Sequence, residues 1–194
     1  IDSGSYTSTY TMVASAPTIT STASAGTGTK SYTSSTTSVC TINSSSGVVT
    51  FVSAGTCTIT ASIAADATYA SATSSSISFT ISLATQTVTW SPTTSLTTTG
   101  SPATPSALAS ALGGATISYA VQSAGTTSCT VNSSTGVITY SAAGDCTIRA
   151  TAAATSSYAA GTKDVTFTIS LASRTLTINS GSYTSTYTMV ASAP

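Results

Sequence analysis

The chain has 194 residues, a net charge of zero, only 4% charged residues and no His. Its acids are Asp2, Asp66, Asp145 and Asp164, its bases are Lys30, Arg149, Lys163 and Arg174, and Glu is absent. This composition excludes the basic footprint that nucleic-acid binding requires, the polybasic patch that an anionic membrane attracts, and most of the side chains that general acid–base catalysis uses. No run of about 18 apolar residues is present, so no membrane insertion by this segment is expected. Thr, Val, Ile and Tyr favour strands, while Ser, Asn and Gly favour turns. The usual helix formers are scarce. An all-β fold follows.

In chain order, the first feature is an aromatic group, Tyr6 and Tyr10, within residues 1–17, which read IDSGSYTSTYTMVASAP. Residues 178–194 repeat that stretch at 16 of 17 positions, with Asn179 in place of Asp2, at an offset of 177. Ile1 already lies inside a repeat, so no signal peptide is expected at this end. A looser repeat sits at half the spacing. Residues 39–61, VCTINSSSGVVTFVSAGTCTITA, match residues 128–150, SCTVNSSTGVITYSAAGDCTIRA, at an offset of 89. Residues 79–90, FTISLATQTVTW, match residues 167–178, FTISLASRTLTI, at an offset of 88. The organisation predicted is repeat one over residues 1–85, repeat two over 86–173, and the first strands of a third repeat over 174–194.

Strands follow from alternation. Cys57, Ile59, Ala61 and Ile63 share one face; so do Ile77, Phe79, Ile81 and Leu83, and in the second unit Val165, Phe167, Ile169 and Leu171. Residues 43–47 and 132–136 each begin with Asn and end with Gly, closing hairpins in which Gly supplies the positive φ. About seven short strands per unit of this length suit a two-sheet sandwich. No Pro/Gly linker separates the units, so the array is expected to be stiff.

The run of a Cys strand, an N-S-S-x-G turn, V-[VI]-T, A-G-x-C-T-I, an Ala-rich stretch with Tyr69 or Tyr158, and then F-T-I resembles the bacterial immunoglobulin-like (Big) repeats. The resemblance covers both units nearly end to end and is weakest over residues 18–38 and 104–127. It implies tandem immunoglobulin-like β-sandwich domains in a rigid array, of the kind found in surface adhesins and fibrous secreted proteins, and it implies no catalytic residues.

Cys40 and Cys57 are 17 apart, as are Cys129 and Cys146. Each pair flanks a hairpin and both members lie in strands. One reading is an intradomain disulfide in an oxidising compartment; the other is two buried thiols. Two Cys per unit and no His do not complete a zinc shell, and scattered single Asp residues do not make a calcium site. No metal and no cofactor is expected. Asn43 and Asn132 head N-x-S sequons at matching positions. They read either as glycan acceptors at hairpin tips or as plain Asn-initiated turns. An isopeptide bond at Lys30 lacks its acid, and Ile117 stands at the matching place in the second unit. Tyr6, Tyr10, Tyr183 and Tyr187 suit contact with a neighbouring domain or chain, or packing in a core. Trp90 aligns with Ile1 and is expected at a domain junction.

These features predict a non-enzyme, an extracellular or cell-surface protein. Its role is a structural repeat of a filament or stalk, disulfide-stabilised and self-associating. Its partners are neighbouring repeats of the same chain and copies of itself in a filament. The alternative is an adhesin module that binds glycan, host protein or ice, the last suggested by the Thr-x-Thr pairs at residues 87–89 and 175–177.

Overall fold

The computed structural model describes residues 1–177. Three single 3-10 turns aside, the regular structure of those residues is all β. The first half holds β1 (Thr9–Thr11), β2 (Lys30–Ser34), β3 (Cys40–Ile42), β4 (Val49–Phe51), β5 (Gly55–Ile63), β6 (Ala72–Thr73) and β7 (Ile77–Ser82). One layer runs in the order β1-β7-β5-β2, with β6 paired to the end of β5. The hairpin β3-β4 forms the second layer, with Cys40 opposite Phe51 and Ile42 opposite Val49. β1 joins β7 in parallel, Tyr10 level with Ile81. All other pairings in this half are antiparallel.

The core lies between the layers. Cys57, Ile59 and Ala61 of β5 and Phe79 and Ile81 of β7 meet Cys40 and Val49 of the hairpin layer, with Ile19 and Tyr32 closing the sides. Every second residue of β5 and β7 faces inward because strand side chains alternate. The outward positions are mostly Thr and Ser, whose hydroxyls pair across strands, as Thr58 does with Ser78. Hydroxyls thus serve on this surface where charges usually do.

The second half repeats the plan with β8 (Val88–Thr89), β9 (Ser95–Thr97), β10 (Ser110–Ala111), β11 (Ile117–Ser123), β12 (Thr130–Val131), β13 (Ile138–Thr139), β14 (Gly144–Ala152) and β15 (Gly161–Ser170). The order β11-β14-β15-β9 forms its large layer, with β9 parallel to β15, and β12-β13 forms its hairpin layer. A further small pair, β8-β10, lies alongside. Phe167, Ile169, Ile148, Ala150 and Cys146 occupy the places of Phe79, Ile81, Ile59, Ala61 and Cys57. Both halves are immunoglobulin-like β-sandwiches.

Between them stands one residue, Leu83. The Met12 N–H donates to the Ser82 carbonyl at 2.8 Å, within the first half. The Ala84 N–H donates to the Ser157 carbonyl at 2.8 Å, within the second. The buried set changes phase at that point, from Phe79 and Ile81 to Ala84, Gln86, Val88 and Trp90. A single residue therefore carries the chain from one core to the next. Among the described residues no hydrogen bond joins the two halves.

Leu171 departs from the alternation that groups it with Val165, Phe167 and Ile169. It is 77% exposed, because β15 ends at Ser170 and the chain leaves the sheet there.

Candidate functional site

The feature common to both halves is a disulfide that crosses the sandwich. Cys40 of β3 is bonded to Cys57 of β5, with Cα atoms 5.6 Å apart. Cys129, just before β12, is bonded to Cys146 of β14, with Cα atoms 6.2 Å apart. Each bridge ties the hairpin layer to the central strand of the large layer, and all four cysteines are buried. The hairpin layers are short, with only two or three residues in each strand. A covalent tie therefore holds in place what few ladder bonds would hold weakly.

The two turns that begin with Asn are built alike. Asn43 Oδ1 accepts from the backbone N–H groups of Ser45 and Ser46 at 3.0 and 2.9 Å. Asn132 Oδ1 does the same for Ser134 and Thr135 at 3.0 and 2.9 Å. Gly47 closes the first turn at φ +73° and Gly136 the second at +71°. These Asn side chains are exposed but engaged, each oxygen satisfying two amides. That is the turn-forming use of Asn.

Trp90 does not stand at a junction. It is 3% exposed, inside the second core, with its ring centroid 5.2 Å from that of Tyr119 and 5.7 Å from that of Phe167. Its Nε1–H donates to the Ala107 carbonyl at 2.9 Å. An indole burying this much apolar surface with its one donor satisfied is a core side chain. Tyr6 and Tyr10 are likewise drawn inward. Tyr10 meets Phe79 edge-on at 5.2 Å and Phe51 at 5.5 Å, and Tyr6 lies 6.3 Å from Phe79. The parallel pairing of β1 with β7 places Tyr10 there. Phe79 and Phe167 thus gather aromatic neighbours from different parts of the chain. Tyr183 and Tyr187 lie outside the described residues.

Charged groups are few. Arg149 and Asp164 face each other across β14 and β15, with bidentate hydrogen bonds of 2.7 and 2.8 Å. Both are about two-fifths exposed, so the pair adds little stability. Its hydrogen bonds hold the Asp164 carboxyl below the ordinary range. Lys30, at the head of β2, donates from Nζ to the Ser21 carbonyl at 2.6 Å.

An open groove of about 380 Å³ runs along the first half beside the end of β5, walled by Thr22, Ala25, Ile63, Asp66, Tyr69 and Ala72. Asp66 organises one wall. Its Oδ2 accepts from the Thr27 N–H at 2.7 Å, and its Oδ1 accepts from the N–H groups of Thr68 and Tyr69 at 2.8 Å each. These amides, Thr27 first, hold its carboxyl below the usual carboxylate range. A depressed carboxylate stabilises the fold above the unfolded value of about 4 and loses that contribution as pH falls through the folded value. Asp66→Thr, which installs the residue found at the matching Thr155, is therefore expected to flatten the acid-side decline of the first half. The check is the urea midpoint measured between about pH 5 and about pH 2. An unchanged slope would show that Asp66 is not linked to folding.

No protein-family model matches the chain, and no curated protein matches it. Solved structures of extracellular β-domains do resemble it. Drosophila N-cadherin EC1-4 is 11% identical with a TM-score of 0.31, over 73% of this chain and 41% of that one. Human protocadherin-24 EC1-2 is 13% identical with a TM-score of 0.36, over 76% and 83%. Domains 1-6 of surface layer protein SbsC are 17% identical with a TM-score of 0.35, over 75% and 20%. The chain spans less than half the length of the N-cadherin and SbsC structures.

Among the described residues no three His, Cys, Asp or Glu side chains gather as a metal site would need. No helix among them is long and apolar enough to cross a membrane. The described side chains offer two kinds of arrangement. The first is covalent and hydrogen-bonded bracing of each sandwich, and the second is the groove with its one carboxylate. Nothing in the one-dimensional pattern marked the groove, because its walls come from segments about 40 residues apart.

Proposed function

We propose that the protein is a disulfide-braced structural repeat of an extracellular filament or cell-surface stalk, related to the bacterial immunoglobulin-like repeats. It is built from domains over residues 1–85 and 86–173 and the start of a third over 174–194. The observation that carries this reading is the bracing combined with the single-residue passage at Leu83. Each small core is held by its own inter-sheet disulfide, and hydrogen bonds anchor both Ser82 and Ala84 to their own halves. Load along the chain passes from one braced sandwich to the next with almost no slack. Buried disulfides suit an oxidising, extracellular setting, and a surface of hydroxyls rather than ions permits close packing against copies of itself. The role needs no catalysis.

Negative-stain electron microscopy of natively extracted material tests it. Extended particles are the expected result, either uniform-width filaments or thin rods. Compact isolated particles would overturn the reading.

A further inference from the structure

In the second half, the groove matching that of the first is filled by the chain's own residues 84–89. Ala84 makes a parallel bridge to Tyr158, its carbonyl accepting from the Ala159 N–H at 2.9 Å. Gln86 is buried, lies against Gly161, and donates from Nε2 to the Leu112 carbonyl at 3.0 Å. Val88 and Thr89 pair with β10. The walls correspond closely to those of the first half. The Asp66 N–H donates to the Tyr69 carbonyl at 2.9 Å, and the Thr155 N–H donates to the Tyr158 carbonyl at 2.9 Å. Gly26 stands against Asp66 and Tyr69 as Gly113 does against Thr155 and Tyr158. With its groove open, Tyr69 is 50% exposed.

A second copy of the filling strand exists in this chain. Residues 83–89 read LATQTVT, and residues 171–177 read LASRTLT. The first copy is seated in the second half. The second is in no strand, and its Leu171 and Leu176 are 77% and 93% exposed. Their counterparts Leu83 and Val88 are partly and fully buried.

The substitutions between strands match the substitutions between grooves. Where residues 84–89 carry neutral Gln86, residues 171–177 carry Arg174. Where the filled groove has neutral Thr155, the open groove has Asp66, the one acid in its walls. Ala72 stands in the open groove where Gly161 admits the Gln86 backbone. A strand seated there lies farther out, and the longer Arg174 side chain spans that distance. Lys30, which also lines the groove, has its ammonium engaged by Ser21.

We infer that the groove of the first half is the acceptor for residues 171–177 of a second copy of this chain, with Leu176 placed where Val88 sits in the second half and Arg174 paired with Asp66. The join is then heterologous, head to tail, and it propagates. The main-chain hydrogen bonds supply affinity and the alternate side chains supply selectivity. This deepens the proposed function by naming the contact through which copies join.

The test uses the full chain and a fluorescent peptide of residues 171–177. Anisotropy is expected to show saturable binding, about fivefold weaker for the Arg174→Gln peptide or for Asp66→Thr protein, with the two losses not additive. Asp66→Thr keeps the wall intact, as Thr155 does in the second half. The peptide of residues 83–89 is the selectivity control and is expected to bind at least about fivefold more weakly. Sedimentation velocity of the chain is expected to show concentration-dependent association, reduced by excess peptide and lost in Leu171→Asp/Leu176→Asp. Absence of peptide binding, binding indifferent to Asp66, a chain monomeric at all concentrations, or association that survives the Leu substitutions would each overturn the inference. Rods or filaments seen by microscopy without peptide binding would leave the structural-repeat reading standing and remove only this contact.

Discussion

Removing one disulfide is expected to split the thermal unfolding of the chain in two. In Cys129→Ala/Cys146→Ala the second half loses the bridge between its hairpin layer and β14, while the bridge from Cys40 to Cys57 remains. The 17-residue separation corresponds to about 3 kcal/mol of loop-closure entropy restored to the unfolded chain. For a domain of this size that loss lowers the midpoint by roughly 12–24 °C. The effect is large because the rest of the hairpin layer is slight: β12 and β13 are two residues each. Alanine is the right replacement, since a Ser hydroxyl at a fully buried Cys146 would add an unpaired polar group. Differential scanning calorimetry would show the first half melting near its original midpoint and the second well below it. A single transition shifted as a whole would mean that the halves unfold together despite their separate cores. A shift below about 2 °C would mean that the bridge constrains little.

Local chemistry made the strand faces and turns legible in the sequence. Alternation placed Cys57, Ile59, Ala61, Phe79 and Ile81 inside, because a half-buried strand must present its apolar residues to one side. The Asn-to-Gly turns were legible because both the side-chain acceptor and the positive φ are local requirements. What escaped depends on contacts distant in the chain. Nothing near Tyr10 announces that β1 will run parallel to β7 and carry its ring onto Phe79. Leu171 continues the period of Val165, Phe167 and Ile169, yet the sheet stops one residue earlier. The groove has no periodic signature at all. A comparison of the two halves would have found its signal, in the paired change from Gln86 and Thr155 to Arg174 and Asp66. Trp90 was misplaced by trust in alignment. It stands at the repeat position of Ile1, but equivalent positions in diverged repeats need not have equivalent surroundings.

Trp90→Ala measures that difference. The first core surrounds Phe79 with Tyr6, Tyr10 and Phe51, and Ile1 merely packs at its margin. The second core relies on Trp90 for the ring that bridges Phe167 and Tyr119. Truncating a buried aromatic side chain costs about 3–5 kcal/mol, and here it also strips the donor from the Ala107 carbonyl. Against a total of about 5–15 kcal/mol for a small domain, the second half should be largely unfolded at moderate urea while the first persists. Trp90→Phe keeps a ring but leaves the carbonyl without its indole donor, so a loss nearer 1–3 kcal/mol is expected. Ile1→Ala should cost distinctly less than Trp90→Ala. Circular dichroism in urea serves for all three variants, because Trp90 is the only tryptophan and its replacement removes the fluorescence probe. If Trp90 were a junction residue, its truncation would leave both midpoints nearly unchanged and alter only how the halves associate. A selective collapse of the second transition is the signature of a core side chain, and it ties the second sandwich to a residue that the repeat pattern alone would place at its border.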